Sequence, residues 1–382
     1  MGITATPNDV LDIKSLDSAG LVAFLASLNH PAYRARQIER WLYAPEAGVS
    51  SFDEMTDLPL SLRNQLSETC SLSFPETVQR RISRDGSRTY LLRLADGAQV
   101  ECVGIPSWVA PEDEDPWDAP TDKTPGESLG DNAAARPPRR LTVCFSTQVG
   151  CSMGCVFCAT GHKRFTRSLI PGEIVDQLTV VSRDFNARVT NAVAMGQGEP
   201  FANYDATLAA LRFINNPKLF GIGARHLTVS TCGIISSIRR FSQEPEQFTL
   251  AVSLHSALQP TRDLLLPRLK NQPLTKLRVA LADYMKQTGR RPSLEYALIS
   301  SINDSKKELD GLISFCKIDS LIFHVNLIPF NAIDQLTWKP SSPFEVREFA
   351  QGLRAAGIDA NIRVSKGTDI AGACGQLSGG VT

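Results

Sequence analysis

The chain has 382 residues, 42% hydrophobic and 21% charged, with 40 basic and 40 acidic side chains in balance. That length exceeds what one compact core organises, so a large domain with a smaller companion is expected in a soluble, globular protein. No apolar run approaches the roughly 20 residues that cross a bilayer, and the N-terminus lacks the basic-then-apolar pattern of a secretory signal.

Nine cysteines, four of them between 144 and 158, form an odd and clustered set. Such a set suits a metal site in a reducing compartment better than a disulfide scaffold, so a cytosolic protein is expected. Zero net charge is no signature of a nucleic-acid partner. The balance is uneven, however: residues 107–139 hold eight acids and three bases, leaving a surplus of five positive charges elsewhere. That surplus permits RNA binding.

In chain order, residues 1–76 read as a helical module. Asp17 or Ser18 caps a first helix whose Leu21, Phe24, Leu25 and Leu28 share one face. A second follows Pro31, with Tyr33, Ile38, Trp41 and Leu42 inward and Arg34, Arg36 and Arg40 outward. A third uses Leu58, Leu62 and Leu66. The arginines fit a solvated face as readily as an RNA-facing one. Strands at 89–94 and 99–105 flank Ala95-Asp96-Gly97, a hairpin turn in which Asp-Gly supplies positive φ. Glu101, in the second strand, is by itself an ordinary strand-face carboxylate. Seven prolines from 106 to 138 and a dense acidic run predict a disordered or loosely packed insertion over 107–139.

After Arg140 strands and helices alternate. Strands are expected at 141–146, 191–195, 226–231, 248–254, 294–299, 324–328 and 359–364. Helices are expected at 171–185, 205–214, 274–287, 305–317 and 343–356. Alternation of this kind makes a parallel sheet of βα units, with chemistry in the loops after the strands. The expected divisions are 1–76, a hairpin linker with its insertion at 77–140, and a core over 141–382.

Chemistry concentrates in those loops. Cys151, Cys155 and Cys158 stand in C-x3-C-x2-C order, able to hold three corners of an iron–sulfur cluster with one iron left open. Gly150 and Gly154 favour a loop over a helix there. A zinc ion with Cys144 as fourth ligand is the alternative. Further on, Met195-Gly-Gln-Gly-Glu-Pro200 ends the next strand, where Gly198 lets backbone approach a ligand and Glu199 can accept from an ammonium. Ser230, and then Ser253-Leu254-His255, follow later strands and can hold ribose or carboxylate oxygens; a core histidine is the plainer reading of His255. Asn331 ends a Pro-stiffened turn. Cys374 sits among Gly367, Gly372, Gly375, Gly379 and Gly380, a tail expected to act as a mobile arm.

The cysteine triad resembles that of the radical S-adenosylmethionine (SAM) superfamily. Cys144 to Gly161, the Gly-Gln-Gly-Glu-Pro, Ser-Leu-His and Asn-Leu-Ile-Pro-Phe-Asn motifs, and the Ala-Cys-Gly-Gln-Leu tail together resemble the RlmN family of adenine-carbon-2 RNA methyltransferases. The resemblance covers about 18–380 apart from the insertion, and departs at Gln197, where the family usually has Met. It implies an α/β fold, a radical SAM partial (β/α)6-type barrel with a small N-terminal helical accessory domain that helps grip RNA. It implies a [4Fe-4S] cluster on Cys151, Cys155 and Cys158. It also implies that SAM is held by Gly198, Glu199, Ser230, Ser253, Leu254, His255 and Asn331, with two molecules used per turnover.

By the same resemblance Cys374 carries a methyl group, Cys144 resolves the adduct through a transient disulfide, and Glu101 accepts the proton. The implied partners are 23S rRNA, tRNA and an electron donor such as flavodoxin or ferredoxin, acting with a cytoplasmic monomer. A Cfr-type carbon-8 methyltransferase is the nearest rival, disfavoured by Pro200 after Glu199. A non-catalytic zinc-dependent RNA-binding protein is the rival from another class.

Overall fold

A computed structural model describes residues 10–44, 49–108, 137–318 and 321–378. Its centre is one ten-stranded sheet in strict sequence order. The strands are β1 (Glu76–Ile82), β2 (Arg88–Arg93), β3 (Gln99–Ser107), β4 (Arg140–Cys144), β5 (Asn191–Ala194), β6 (Leu227–Thr231), β7 (Thr249–Ser253), β8 (Ser293–Leu298), β9 (His324–Pro329) and β10 (Ala360–Ile362). β1 to β4 pair antiparallel and β4 to β10 pair parallel. β1 and β10 remain as edges, so the parallel part is an open barrel.

Helices supply the crossovers between the parallel strands: α4 (Pro171–Phe185), α5 (Tyr204–Asn215), α6 (Ile235–Phe241), α7 (Gln259–Leu265) with α8 (Leu274–Thr288), α9 (Lys306–Cys316) and α10 (Pro343–Ala355). α4 begins with Pro171 and with Glu173 accepting from the Ile170 amide, and ends on Asn186 at φ 45°. Those are a preorganised start and a left-handed stop. Short helices α6 and α7 were not expected; seven residues each are too few to develop a visible helical period.

The N-terminal part holds α1 (Ser18–Ser27), α2 (Tyr33–Tyr43) and α3 (Leu60–Thr69). Asp17 caps α1 by accepting from Gly20. Ile38, Leu42, Leu58, Leu62 and Leu66 are buried as expected, but Tyr33 is not: it is 52% exposed, at the first position of its helix, beside Arg34. The hairpin turns at Gly97 with φ 84°. Ser107, read as the start of the insertion, ends β3 and pairs with Arg140. The expected disorder of the insertion concerns residues that lie, for 109–136, outside the described ones.

One continuous apolar core runs from Ile13 to Ile362 and joins the helical module to the barrel. At that junction Lys14 Nζ lies 2.5 Å from both Asp176 oxygens on α4, with each side chain nearly inaccessible. Removing one member strands the other charge. Lys14→Ala should therefore cost about 3–5 kcal/mol in urea unfolding; an unchanged midpoint would contradict this reading of the junction.

Candidate active site

β4 delivers Cys144, and the chain then turns under tight control. Ser146 Oγ donates to the Glu101 carbonyl (2.6 Å) and accepts from the Gln197 amide (2.8 Å). The Gln177 carboxamide accepts from Ser146 N (2.7 Å) and donates to Ser146 O (2.9 Å). Gln197 also accepts through its side chain from the Glu101 amide at 3.0 Å. The residue that replaces the usual methionine thus ties β3 to the turn after β5.

The three cysteines lie in a loop, as expected. Gly150 and Gly154 take φ of 74° and 61°, and a Cβ on Gly150 would stand 2.2 Å from the Arg164 carbonyl. Val156 N donates to Leu265 O (3.1 Å) and Arg268 to Ser152 O (2.7 Å), bracing the loop against the α7 end. Met153 N approaches Cys151 Sγ at 3.4 Å, and the Gly161 and Thr160 amides donate to Cys158.

Burial pushes all three thiols up, Cys151 to about 11, and for Cys155 the neighbouring Cys158 and Cys151 add to it. Thiolates there call for a cationic centre, and amide donors to sulfur are what iron–sulfur clusters use. The donor set fits such a cluster. Among the described residues no group of three His, Cys, Asp or Glu is arranged to hold a metal ion alone. Cys144 lies on the wall of a different cavity, so the zinc alternative lacks its fourth ligand.

Two cavities meet here. The narrower, about 160 Å³, is lined by the three cysteines and by Gly198, Glu199, Ser230, Ser253, His255 and Asn331. The wider, about 570 Å³, is lined by Cys144 and by Arg291, Arg363 and Lys366. Cys374, Glu295, Met195 and Ile328 belong to both. Leu254 is fully buried and offers only backbone. Glu101 is 8% exposed and lines neither cavity; it shares a strand face with Val103, which packs on Cys144.

Each polar group of the narrow cavity is fixed from behind. Glu199 accepts from Phe201 N (2.9 Å) and Cys232 N (2.8 Å), while burial raises its pKa. His255 sits at φ 56°, and its Nδ1 accepts from Ala297 N at 3.0 Å. A backbone amide only donates, so the ring proton lies on Nε2. Burial lowers the His255 pKa to about 3, keeping the ring neutral. Asn303, wholly buried, donates to the His255 and Ala297 carbonyls at 2.6 and 2.7 Å. No spacing in the sequence marks Asn303, Glu295 or Arg262, because they come from a turn, from β8 and from α7, which only the fold gathers around His255.

The tail after β10 is docked. Asp369 accepts from Ser83 Oγ (2.5 Å), and Gly367 N donates to Asp85 (2.8 Å), both on the β1–β2 turn. Ala159 N donates to Gly375 O (2.7 Å), Thr160 Oγ1 to Leu377 O (2.6 Å), and Asn331 to Cys374 O (3.0 Å). Of the tail glycines, Gly372 allows a close approach, since a Cβ there would stand 2.7 Å from Thr89; Gly379 and Gly380 lie outside the described residues. Cys374 exposes its surface to the cavities while protein encloses it more broadly. Burial, then Glu295, push its thiol up to about 11. All nine cysteines are free.

Residues 145–313 match the radical SAM superfamily. A radical SAM methyltransferase from Sphaerobacter thermophilus superposes with a TM-score of 0.81 and 37% identity, covering 97% of this chain and 100% of that one. The fold is that of a radical SAM enzyme, a family that uses SAM and a [4Fe-4S] cluster. Residues 11–72 match the ribosomal RNA large subunit methyltransferase N-terminal domain. A probable dual-specificity RNA methyltransferase RlmN from Pelotomaculum thermopropionicum is 38% identical, over 97% of this chain and 92% of its own. One from a Synechococcus species is 40% identical over 93% and 92%. The chain belongs to the RlmN family of radical SAM RNA methyltransferases.

Because the folded pKa of His255 lies below its unfolded value of about 6.5, unfolding takes up a proton as pH falls below that value. Stability should drop between about pH 6.5 and 3 by up to about 1.4 kcal/mol per unit from this group, and His255→Gln should flatten that slope in thermal melts. An unchanged slope would show the ring already charged.

Proposed function

We propose that this protein methylates carbon 2 of an adenosine in 23S rRNA at the peptidyl-transferase centre, and of the adenosine 3′ to the tRNA anticodon. The observation that carries this reading is the position of Cys374. It stands where the two cavities meet, one lined by the candidate cluster ligands and the other by Cys144. Carbon 2 of adenine is electron-poor and cannot displace a sulfonium methyl as an amine would, so a sulfur carrier is the reasonable first acceptor.

Cys151, Cys155 and Cys158 would hold the [4Fe-4S] cluster. Glu199 would accept from the amino group of SAM, and Ser230, Ser253 and the Nε2–H of His255 would meet its other polar atoms, with Gly198 and Leu254 offering backbone; the support is that all but Leu254 line the narrow cavity. Asn331 serves both SAM and the tail. When bound, the cluster supplies the electron that cleaves SAM to a carbon radical. Cys374 gives up its thiol proton as its sulfur takes the methyl of a first SAM, a cationic partner that favours the thiolate. The methyl on Cys374 would face the narrow cavity, where a second SAM, when bound, would be the source of the radical that takes a hydrogen from it.

The wider cavity takes the adenine, splayed from its stack, with Arg291, Arg363 and Lys366 meeting phosphates. Once the carbon is joined to both base and Cys374, the leftover electron would pass back to the oxidised cluster and the carbon-2 proton to Glu101. Cys144 as thiolate then attacks the Cys374 sulfur, the sulfur–carbon bond breaks, the carbon takes a proton to become the methyl of the released base, and a disulfide is left. For Glu101, the proton acceptor, the support is its place on the strand face of Val103 and Cys144.

The division at 1–76, 77–140 and 141–382 gives the first part to RNA grip and the last to catalysis. A cytoplasmic monomer fed by flavodoxin or ferredoxin completes the reading. Among the described residues no helix is long and apolar enough to cross a membrane.

Two outcomes follow. Anaerobic reaction with RNA and labelled SAM should give 2-methyladenosine on nucleoside mass spectrometry; 8-methyladenosine would move the chain to the Cfr-type chemistry. Cys144→Ala should stop turnover and leave RNA covalently attached at Cys374, visible on denaturing gels, whereas free methylated RNA would remove Cys144 from the mechanism.

A further inference from the structure

Arg262 is the bulkiest side chain fully withdrawn from solvent, at 1% exposure. It rises from α7 beneath the narrow cavity. Nη1 donates to Ser253 O (3.1 Å) and Leu254 O (2.5 Å), and Nη2 donates to Cys232 O (2.6 Å). Its Nε is buried with no hydrogen-bond partner. Gly233, at φ 106°, makes the room: a Cβ there would stand 3.0 Å from Nη2.

Three carbonyls satisfy hydrogens but do not cancel a charge, and a guanidinium taken out of water without a counter-charge is expensive. Among the described residues no carboxylate forms an ion pair with Arg262. Its neighbours able to carry negative charge are the Cys232 and Cys155 thiols and Asp263. Glu199 lies across the Cys232 backbone, each of its oxygens accepting from one backbone amide rather than from the guanidinium. Cys155 packs on the apolar cluster of Cys232, Leu265 and Leu266, and the arginine bonds to the backbone of Cys232 and Leu266 in that cluster. Burial lowers the guanidinium pKa only to about 10, so it stays charged at neutral pH.

We propose that Arg262 is the fixed positive charge that poises the iron–sulfur cluster, facing it from behind Cys155 and offsetting the negative charge that reduction adds. The inference rests on the cluster reading above. Reduction moves one electron from a low-potential donor onto the cluster, the donor being oxidised and no proton or bond being exchanged. A cluster held by thiolates becomes more anionic in that step, and cluster potentials follow local charge and solvent exposure. A cation in a dry, low-dielectric setting favours the reduced form and raises the potential. Arg262 is a positioning residue in a second sense, since it also holds the carbonyls of Ser253 and Leu254 just ahead of His255.

The test is a dithionite titration of the full-length, anaerobically reconstituted protein, followed by electron paramagnetic resonance at about pH 7. Arg262→Gln keeps hydrogen-bond donors without the charge, and Arg262→Lys keeps the charge without the fork. The expected result is a midpoint shifted to lower potential in R262Q, with R262K close to the wild type and iron content equal in all three. An unmoved midpoint in R262Q overturns the inference. So does an equal fall in R262K, which would assign the effect to hydrogen bonding. If R262Q fails to fold even without iron, by circular dichroism, the arginine is scaffold and the inference is again overturned. Wild-type protein that takes up no iron would instead sink the cluster reading itself.

Discussion

The amide of Ala159 donates to the carbonyl of Gly375 at 2.7 Å, and that bond joins the loop presenting three thiols to the tail presenting a fourth. Everything at the site depends on those two segments meeting. The loop leaves β4 in the middle of the sheet, while the tail leaves β10 at one edge. On its way the tail bonds to the β1–β2 turn through Asp369 and Gly367. It therefore crosses the open side of the barrel and laces the two edges that strand pairing leaves apart. Cys374 hangs from the middle of that lace, between the cavities. A closed barrel would leave no such gap, so the open sheet and the position of the thiol are one feature.

A second constraint is electrostatic. The narrow cavity buries Glu199 and His255 with Arg262 behind them, and each is handled differently. Glu199 is compensated by two backbone amides, His255 is kept neutral by burial and held in one tautomer by the amide on Nδ1, and Arg262 is held by carbonyls with its charge left over. Groups buried this way cannot reorganise as water would, so they present fixed dipoles and charges to whatever binds. The same rigidity explains the left-handed backbone of His255: Asn303 and Arg262 hold the carbonyls on either side of the turn, outweighing a modest local strain.

Much of this was legible from sequence where the signal is local. Helix α4 was read to the residue because Pro171 and the Glu173 capping interaction punctuate its start. The parallel strands were found within two residues because each is a short apolar run between polar loops. Glycines flanking the cysteines announced a loop. Side chains that act across the sheet were not legible. Arg262 stands on a short helix with a polar surface sequence and reads as solvated; only the fold turns it inward. The tail glycines suggest freedom of motion; for Gly372 the fold adds a contact reason that no sequence pattern carries, its close approach to Thr89. Gln197 read as a neutral replacement, yet its carboxamide bonds to the Glu101 backbone.

The central claim is that sulfur of Cys374 carries the one-carbon unit to a radical source beside it. Peptide mass spectrometry of the anaerobically reconstituted protein, after incubation with methyl-labelled SAM in the absence of RNA, addresses it most directly. The account predicts the label as a single methyl group on the Cys374 peptide and on no other cysteine. Unlabelled Cys374 in a preparation that goes on to methylate RNA would contradict it.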